Sequence, residues 1–290
     1  MKNLGMIGIG LMGHGIASNL VKKGHALTVL EHAGNQPLDD LRAAGVRTAR
    51  TPAQLASQVD VLIVCVTGSP QVEAVLQGEE GALGTLRPGT VVIDCSTAIP
   101  SSTLRVAQAV ADAGGRFLDA PMTRTPKEAA EGRLNLLVGG DADLFAQCRP
   151  ILACFAENIV HAGPVGAGHR MKLLHNYVSL GTATLIAEAA ACARRAGIDP
   201  RVFVEVLGKG GGGGVALERL KPFIVDGDAT TLRFTVANAQ KDLGYYNEMA
   251  QDGGADRTVA AAVLASLARA VDDGAGASFV PELVARIAER

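Results

Sequence analysis

Tryptophan is absent from this 290-residue chain, and aromatic residues make up only 3% of it. A core must therefore be assembled from Ala, Val, Leu and Ile, and the 48% apolar content supplies enough of them. No apolar run approaches the roughly 18 residues of a membrane span. The N-terminus leads straight into an apolar run, without the n-, h- and c-regions of a signal peptide. A soluble cytoplasmic protein is the expectation. Excess charge is missing too: 27 Lys and Arg face 29 Asp and Glu, a net charge of −2. Nucleic-acid proteins usually carry a basic face, so neither nucleic acid nor membrane is expected as a partner. The five cysteines (Cys65, Cys95, Cys148, Cys154, Cys192) are odd in number and contain no C-x-x-C. They read as buried, reduced thiols acting as small hydrophobes. None of the six His stands four residues from another, so no metal site is expected.

What is present is a strongly placed glycine motif, Gly8-Ile9-Gly10-Leu11-Met12-Gly13. It follows an apolar run and opens a helical pattern, the context of a phosphate-binding turn. The first glycine permits the turn, the second lets backbone approach a pyrophosphate, and the third lets helix and strand pack closely. The N–H groups and positive dipole end at Leu11 and Met12 then face the phosphates. Glu31 ends the next strand candidate, 23 residues after Gly8. An acidic side chain there accepts hydrogen bonds from ribose hydroxyls and repels a 2′-phosphate, which favours NAD and makes NADP less expected. The alternative is a plain surface Glu.

The pattern predicts strands at 3–9, 26–31, 61–66, 90–94 and 116–119, alternating with helices at 11–23, 38–44, 70–76 and 100–113. Continuous apolar runs such as Val61 to Val66 suit a parallel sheet covered on both faces. Further strands at 134–138 and 159–161, with a helix at 142–153 between them, extend the sheet. From Val165 onward only helical periodicity remains: 168–196, 200–207, 215–223, 233–251, 256–272 and 279–289. The expected fold is α/β, a Rossmann-type, doubly wound, mostly parallel sheet (1–163) followed by an all-helical domain (164–290) for substrate binding and oligomerisation. Thr230-Thr231 reads as a helix N-cap region. The five glycines Gly210 to Gly214 read either as a flexible connector or as a loop approaching a ligand.

Ligands of open α/β sheets bind beyond the carboxyl ends of the strands. Val66 and Thr67, and Thr97 in the next such loop, are therefore candidates for the nicotinamide half. Ser96 or Thr97 serving only as an N-cap is the competing reading. On the long helix, Lys172 and Asn176 share a face at i,i+4, with His175 beside them. A solvated polar face is the ordinary reading of such a cluster. A general acid/base Lys with neighbouring polar groups is the other. Lys241-Asp242 on a later helix reads as a solvated pair or as a source of nearby charge.

Five motifs in order make the chain resemble the β-hydroxyacid dehydrogenases, the family of 3-hydroxyisobutyrate dehydrogenase and tartronate semialdehyde reductase. They are the turn at Gly8–Gly13 with its continuation to Leu20, Asp94-Cys95-Ser96-Thr97, Asp119-Ala120-Pro121-Met122-Thr123-Arg124-Thr125, Gly166-Ala167-Gly168 running to Lys172 and Asn176, and Lys241-Asp242-Leu243. The resemblance implies a homodimer or homotetramer with its active site between two domains. It implies Lys172 as catalytic acid/base, Asn176 orienting substrate, Lys241 near the nicotinamide and Thr123 holding a substrate carboxylate. Two departures stand out. Thr123-Arg124-Thr125 replaces the usual S-G-G, which resembles the sulfolactaldehyde reductase branch and implies a small anionic hydroxy acid or semialdehyde (carboxylate or sulfonate) held by Thr123, Arg124 and Thr125. His175 replaces an Asn and stands as a further substrate-binding candidate. An imine reductase and a non-catalytic dinucleotide-binding protein are the rival readings.

Overall fold

Runs of apolar residues become strands buried on both sides. The computed structural model describes residues 2–289. Its first half contains β1 (Leu4–Ile7), α1 (Leu11–Lys22), β2 (Leu27–Leu30), α2 (Asp39–Ala43), β3 (Arg47–Ala49), α3 (Pro52–Ala56), β4 (Val61–Val64) and α4 (Ser69–Gln77). Next come β5 (Val91–Asp94), α5 (Pro100–Asp112), β6 (Arg116–Asp119), β7 (Met122–Thr123), α6 (Pro126–Glu131), β8 (Leu134–Gly139), α7 (Ala142–Leu152) and β9 (Ala156–Gly163). The strand order is β3-β2-β1-β4-β5-β6-β8-β7, with β9 paired to β8. From β3 to β6 every pairing is parallel, and β8 meets β6 and β7 antiparallel. This is the doubly wound order, which reverses direction between β1 and β4 and leaves a crevice beyond their carboxyl ends.

Alternation along the strands splits the core into two layers. Leu4, Met6, Val61, Ile63, Val91 and Ile93 point to one face, and Ile7, Leu62, Val64 and Val92 to the other. Helices cover both faces. α1 and α6 approach so closely that a Cβ on Gly15 would lie 2.6 Å from the Ala129 carbonyl carbon. Asn19 secures the same contact by donating to the carbonyls of Ala129 and Ala130.

One compact unit runs to Lys172 and a second begins at Leu173. α8 (Ala167–Arg195) belongs to both. The second unit adds α9 (Pro200–Lys209), α10 (Val215–Asp226), α11 (Val236–Asp252), α12 (Thr258–Ala270) and α13 (Leu283–Ala288). Its core joins Leu180, Ala183, Ala187 and Ala190 of α8 to Leu217, Leu243, Val263 and Leu267. Among the described residues no helix is long and apolar enough to cross a membrane.

Several expectations need correction. The N-cap of α11 is Thr235, whose hydroxyl accepts the Asn238 N–H at 3.3 Å, while Thr230–Leu232 forms a separate 3₁₀ turn. β3, α3, β7 and α6 escape the periodicity because each has six residues or fewer and turns too little apolar surface inward to show a repeat. All five cysteines are free, and Cys192, expected inside, is exposed because it falls off the buried stripe of α8.

Gly15→Ala forces α1 and α6 apart. It is expected to lower stability by about 1–3 kcal/mol, read as a shifted urea midpoint. An unchanged midpoint would show that the two helices separate freely.

Candidate active site

The glycine turn divides its labour as the motif demands. Gly8 sits at φ 92°, and a Cβ there would lie 2.1 Å from the Cys65 carbonyl oxygen. A Cβ on Gly13 would lie 1.9 Å from the Gly8 oxygen. Both glycines are therefore needed by the protein itself. Gly10 is different, because a Cβ there meets nothing within 4 Å. It is the N-cap of α1, no side chain caps that end, and no acidic residue lies in the first turn. The first-turn N–H groups of a helix lack partners within the helix, so open space here adjoins orphan donors and a positive dipole. A dinucleotide pyrophosphate fits this place. Leu11 and Met12 carry these donors, Leu11 being exposed and Met12 half-buried.

The loop after β2 is stitched to the turn. Asn35 Oδ1 accepts the Ile9 N–H at 3.2 Å, and the Gln36 N–H donates to the Ile9 oxygen at 2.7 Å. Glu31 opens this loop and lines a cavity with His32, Asn35, Gln36 and Arg42. Its carboxylate pairs with Arg42 Nη2 at 2.6 Å. Hydrogen bonds from Arg42 and then Thr48 hold the Glu31 pKa below the usual carboxylate range, so it stays ionised. Neither Asn35 nor Arg42 belongs to a readable motif; only the loop's geometry brings them in.

The two loops beyond β4 and β5 brace each other. The Val66 N–H donates to Ser96 Oγ at 3.0 Å, and the Ile99 N–H donates to Ser69 Oγ at 2.8 Å. The N-cap of α5 is Ile99, so neither Ser96 nor Thr97 caps that helix. Thr97 is half-buried and Thr67 exposed. Desolvation pushes the neighbouring Cys65 thiol up to about 12, so it is no thiolate at neutral pH.

Thr123 is buried on β7, and its hydroxyl accepts from Asn135 Nδ2 at 3.1 Å. Asn135 is fixed in turn by Asn158, which donates to Asn135 Oδ1 at 2.9 Å. Arg124 is the one described non-glycine residue with positive φ, 81°. Its Nη1 donates to the Arg133 carbonyl and pairs with Glu157 Oε2 at 2.5 Å. Thr125 is the N-cap of α6 and hydrogen-bonds Glu128 through both its N–H and its hydroxyl.

α8 begins on a buried carboxylate. Asp119, 0% exposed, accepts the Gly166 N–H at 2.7 Å and the His169 N–H at 2.8 Å. Gly139 and Gly168 make this possible, since a Cβ on either would lie within 2.8 Å of that carboxylate. Lys172, in the next turn, is only 8% exposed. Within the helical unit, Asn176 is buried and donates from Nδ2 to Asp242 Oδ2 at 2.6 Å. Asp242 Oδ1 pairs with Lys241 Nζ at 3.0 Å. His175 is exposed, with Nδ1 3.0 Å from Asn176 Oδ1. Lys241, Asp242, Asn176 and His175 thus form one chain of contacts. Lys241-Asp242 is no solvated surface pair, because Asp242 is 2% exposed.

Comparison with known proteins finds matches over both parts of the chain. Residues 3–163 match the family model described as the NAD binding domain of 6-phosphogluconate dehydrogenase. Residues 166–284 match that of the NAD-binding region of NADP-dependent 3-hydroxyisobutyrate dehydrogenase. The chain is 35% identical to the NAD-dependent L-serine dehydrogenase of Pseudomonas aeruginosa, over 87% of this chain and 86% of the relative. It is 31% identical to the 2-(hydroxymethyl)glutarate dehydrogenase of Eubacterium barkeri, over 86% and 83%. The solved structure of Mycobacterium tuberculosis 3-hydroxyisobutyrate dehydrogenase with L-serine superposes with a TM-score of 0.88 at 26% identity, over 99% of both chains.

Gly10→Ala separates binding from folding. A methyl group there enters open space, so the thermal midpoint should fall by no more than the loss of a weak cap, about 1 kcal/mol. NAD affinity, measured by calorimetry, should fall at least tenfold, the equivalent of about 1.4 kcal/mol. Retained affinity would place the pyrophosphate elsewhere.

Proposed function

The chain belongs to the β-hydroxyacid dehydrogenase family, whose members are NAD(P)-dependent oxidoreductases acting on CH–OH groups, and from that premise we propose its reaction. Hydride moves between NAD and a small anionic 3-hydroxy acid or its semialdehyde, with Lys172 as general acid/base. The observation that carries this reading is the near-complete burial of Lys172 and of Asn176, one turn further along α8. A Lys serving only as a solvated surface charge would extend into water.

The substrate class follows from chemistry that the relatives' names share. Serine, 3-hydroxyisobutyrate and 2-(hydroxymethyl)glutarate all place a hydroxymethyl group on the carbon that bears a carboxylate. A site for that skeleton needs a proton carrier at the hydroxyl and donors at the anion. When bound, NAD supplies the hydride acceptor at the carbinol carbon. Lys172 takes the hydroxyl proton in oxidation and returns it to the forming alkoxide in reduction. Asn176, held through Asp242, orients the hydroxyl, and Lys241 is assigned to cofactor binding. Gly8, Gly10, Leu11, Met12 and Gly13 seat the pyrophosphate, Glu31 the ribose hydroxyls, and Val66, Thr67 and Thr97 the nicotinamide half.

Thr123, Arg124 and Thr125 hold the anionic head, and His175 is a further substrate-binding residue. Because Asn135 donates to Thr123 Oγ1, the single hydroxyl hydrogen of Thr123 is left to donate to an anion. Both contacts of Arg124 run through Nη1, and a guanidinium carries five N–H donors in a fork suited to carboxylate or sulfonate. Glu157 then competes with the substrate for Arg124.

Lys172→Ala is expected to abolish turnover of 3-hydroxy acids in an NADH absorbance assay while NAD affinity stays unchanged; surviving turnover would remove Lys172 from the chemistry. Arg124→Gly and Glu157→Gln should move KM in opposite directions. The first removes the clamp and raises KM for carboxylate and sulfonate semialdehydes roughly tenfold or more. The second frees the guanidinium and lowers KM. Relief of positive-φ strain, about 1–2 kcal/mol, should keep the Arg124→Gly variant as stable as the parent. An unchanged KM in both variants would assign Arg124 to the sheet edge alone.

A further inference from the structure

Glu31 and Arg42 form an oxyanion seated on a guanidinium, next to the place assigned to the adenosine ribose. Glu31 Oε1 lies 2.6 Å from Arg42 Nη2, and both side chains are half-exposed. We propose that Arg42 is a cofactor-specificity residue: it binds the 2′-phosphate of NADP when the Glu31 carboxylate gives way, so that NADP serves as a second, weaker cofactor beside NAD. The proposal rests on the reading of Glu31 as the partner of the ribose hydroxyls.

Stereochemistry brings the two anions to one place. In NAD the hydrogen of the ribose 2′-hydroxyl points at the acid that accepts it. In NADP the phosphorus replaces that hydrogen. The phosphate oxygens therefore fall where the Glu31 carboxylate lies, and Arg42 already serves that place. A guanidinium holds a carboxylate and a phosphate with the same fork. Arg42 bonds Glu31 through Nη2 alone, out of five N–H donors, so most of its donors remain for a phosphate.

The Glu31 carboxylate is free to leave. The groups that hydrogen-bond it are two side chains, Arg42 and Thr48. An exposed ion pair is weak, so turning the carboxylate into water costs little. No other Lys or Arg among the described residues lines this cavity. Asn35 is committed at both ends, Oδ1 accepting the Ile9 N–H and Nδ2 donating to the Leu30 carbonyl. His32 Nδ1 accepts the Gly34 N–H. Arg50 acts on Glu31 through its charge, without a hydrogen bond to it. Asp39 is a second acid on the cavity, and together with Glu31 it keeps NAD the preferred cofactor.

Calorimetric titrations of NAD and NADP into the full-length protein test the proposal, with the thermal midpoint of each variant measured alongside. The parent should bind both, NADP more weakly; undetectable NADP binding would overturn the proposal. Arg42→Gln should raise the Kd of NADP roughly tenfold or more, while that of NAD changes by less than about threefold. Glu31→Gln should lower the Kd of NADP roughly tenfold, and combining it with Arg42→Gln should cancel that gain. Arg50→Gln should leave the Kd of NADP within about threefold of the parent. Equal changes for NAD and NADP in Arg42→Gln would overturn the proposal, as would a double variant that keeps the gain or a larger loss in Arg50→Gln than in Arg42→Gln. Should Arg42→Gln fail to fold, Arg42→Lys keeps the charge without the fork; NADP binding should weaken relative to NAD there too, and an unchanged ratio counts against the role. A raised Kd of NAD in Glu31→Gln marks the ribose at Glu31 whatever Arg42 does. If neither Glu31→Gln nor Arg42→Gln alters the binding of either dinucleotide, the ribose lies elsewhere and the underlying reading fails too.

Discussion

The Asp119 carboxylate at the first turn of α8 fixes where the long helix begins. It is buried, it ends β6, and it accepts two backbone N–H groups of that turn. An anion at a helix N-terminus is favoured by both orphan donors and dipole. Charge-assisted bonds of this kind are about twice as strong as neutral ones. Losing the carboxylate would also strand two buried N–H groups, each at about 1–3 kcal/mol. The position of Lys172 along the chain is therefore inherited from the sheet. β6 is in register with β5, Asp119 opposite Asp94, and both acids lie next to the same histidine. The strand that leads into Thr123–Thr125 also orders the helix that carries the proposed base.

Glycine placement serves the same end throughout. Gly8 and Gly13 are filled from within by backbone, and Gly139 and Gly168 let a carboxylate and a helix meet. Gly10 alone among these faces open space. The contrast separates glycines that build the scaffold from one that borders open space at a helix N-terminus. After β2, Glu31 keeps its charge beside Arg42. An ionised acid there suits ribose hydroxyls and opposes a 2′-phosphate, while the adjacent guanidinium softens that opposition.

Much of this was legible in the chain. The parallel strands announce themselves as continuous apolar runs, and β6 begins and ends where the pattern places it, at Arg116 and Asp119. The glycine turn, Glu31 and the spacing from Lys172 to Asn176 carry chemistry in short local windows. What stayed hidden depends on partners distant in sequence. Ser96 reads as a helix cap, yet it braces the Val66 loop thirty residues away. Asp242 reads as half of a surface pair, yet it is buried against Asn176, sixty-six residues earlier. His169 lies inside the Gly166–Asn176 motif, yet nothing local announces its neighbours Asp94, Thr103 and Asp119, which lie on three different elements. Periodicity reports which face of an element is buried; it is silent on which polar group waits there.

Arg124 shows how a departure from a family pattern becomes physical information. The backbone at this position keeps the left-handed conformation that glycine adopts freely, φ 81°. A side chain there costs about 1–2 kcal/mol, so something must hold it. The Glu157 pair and the Arg133 carbonyl do so. An exposed ion pair contributes about 0–1 kcal/mol and a hydrogen bond from a charged donor about 1.5–3 kcal/mol, so these two contacts offset the strain. Strained residues cluster at active sites and ligand clamps. The strained backbone and the guanidinium donors beyond Nη1 are what support the proposal that Arg124 meets the anionic head of a substrate.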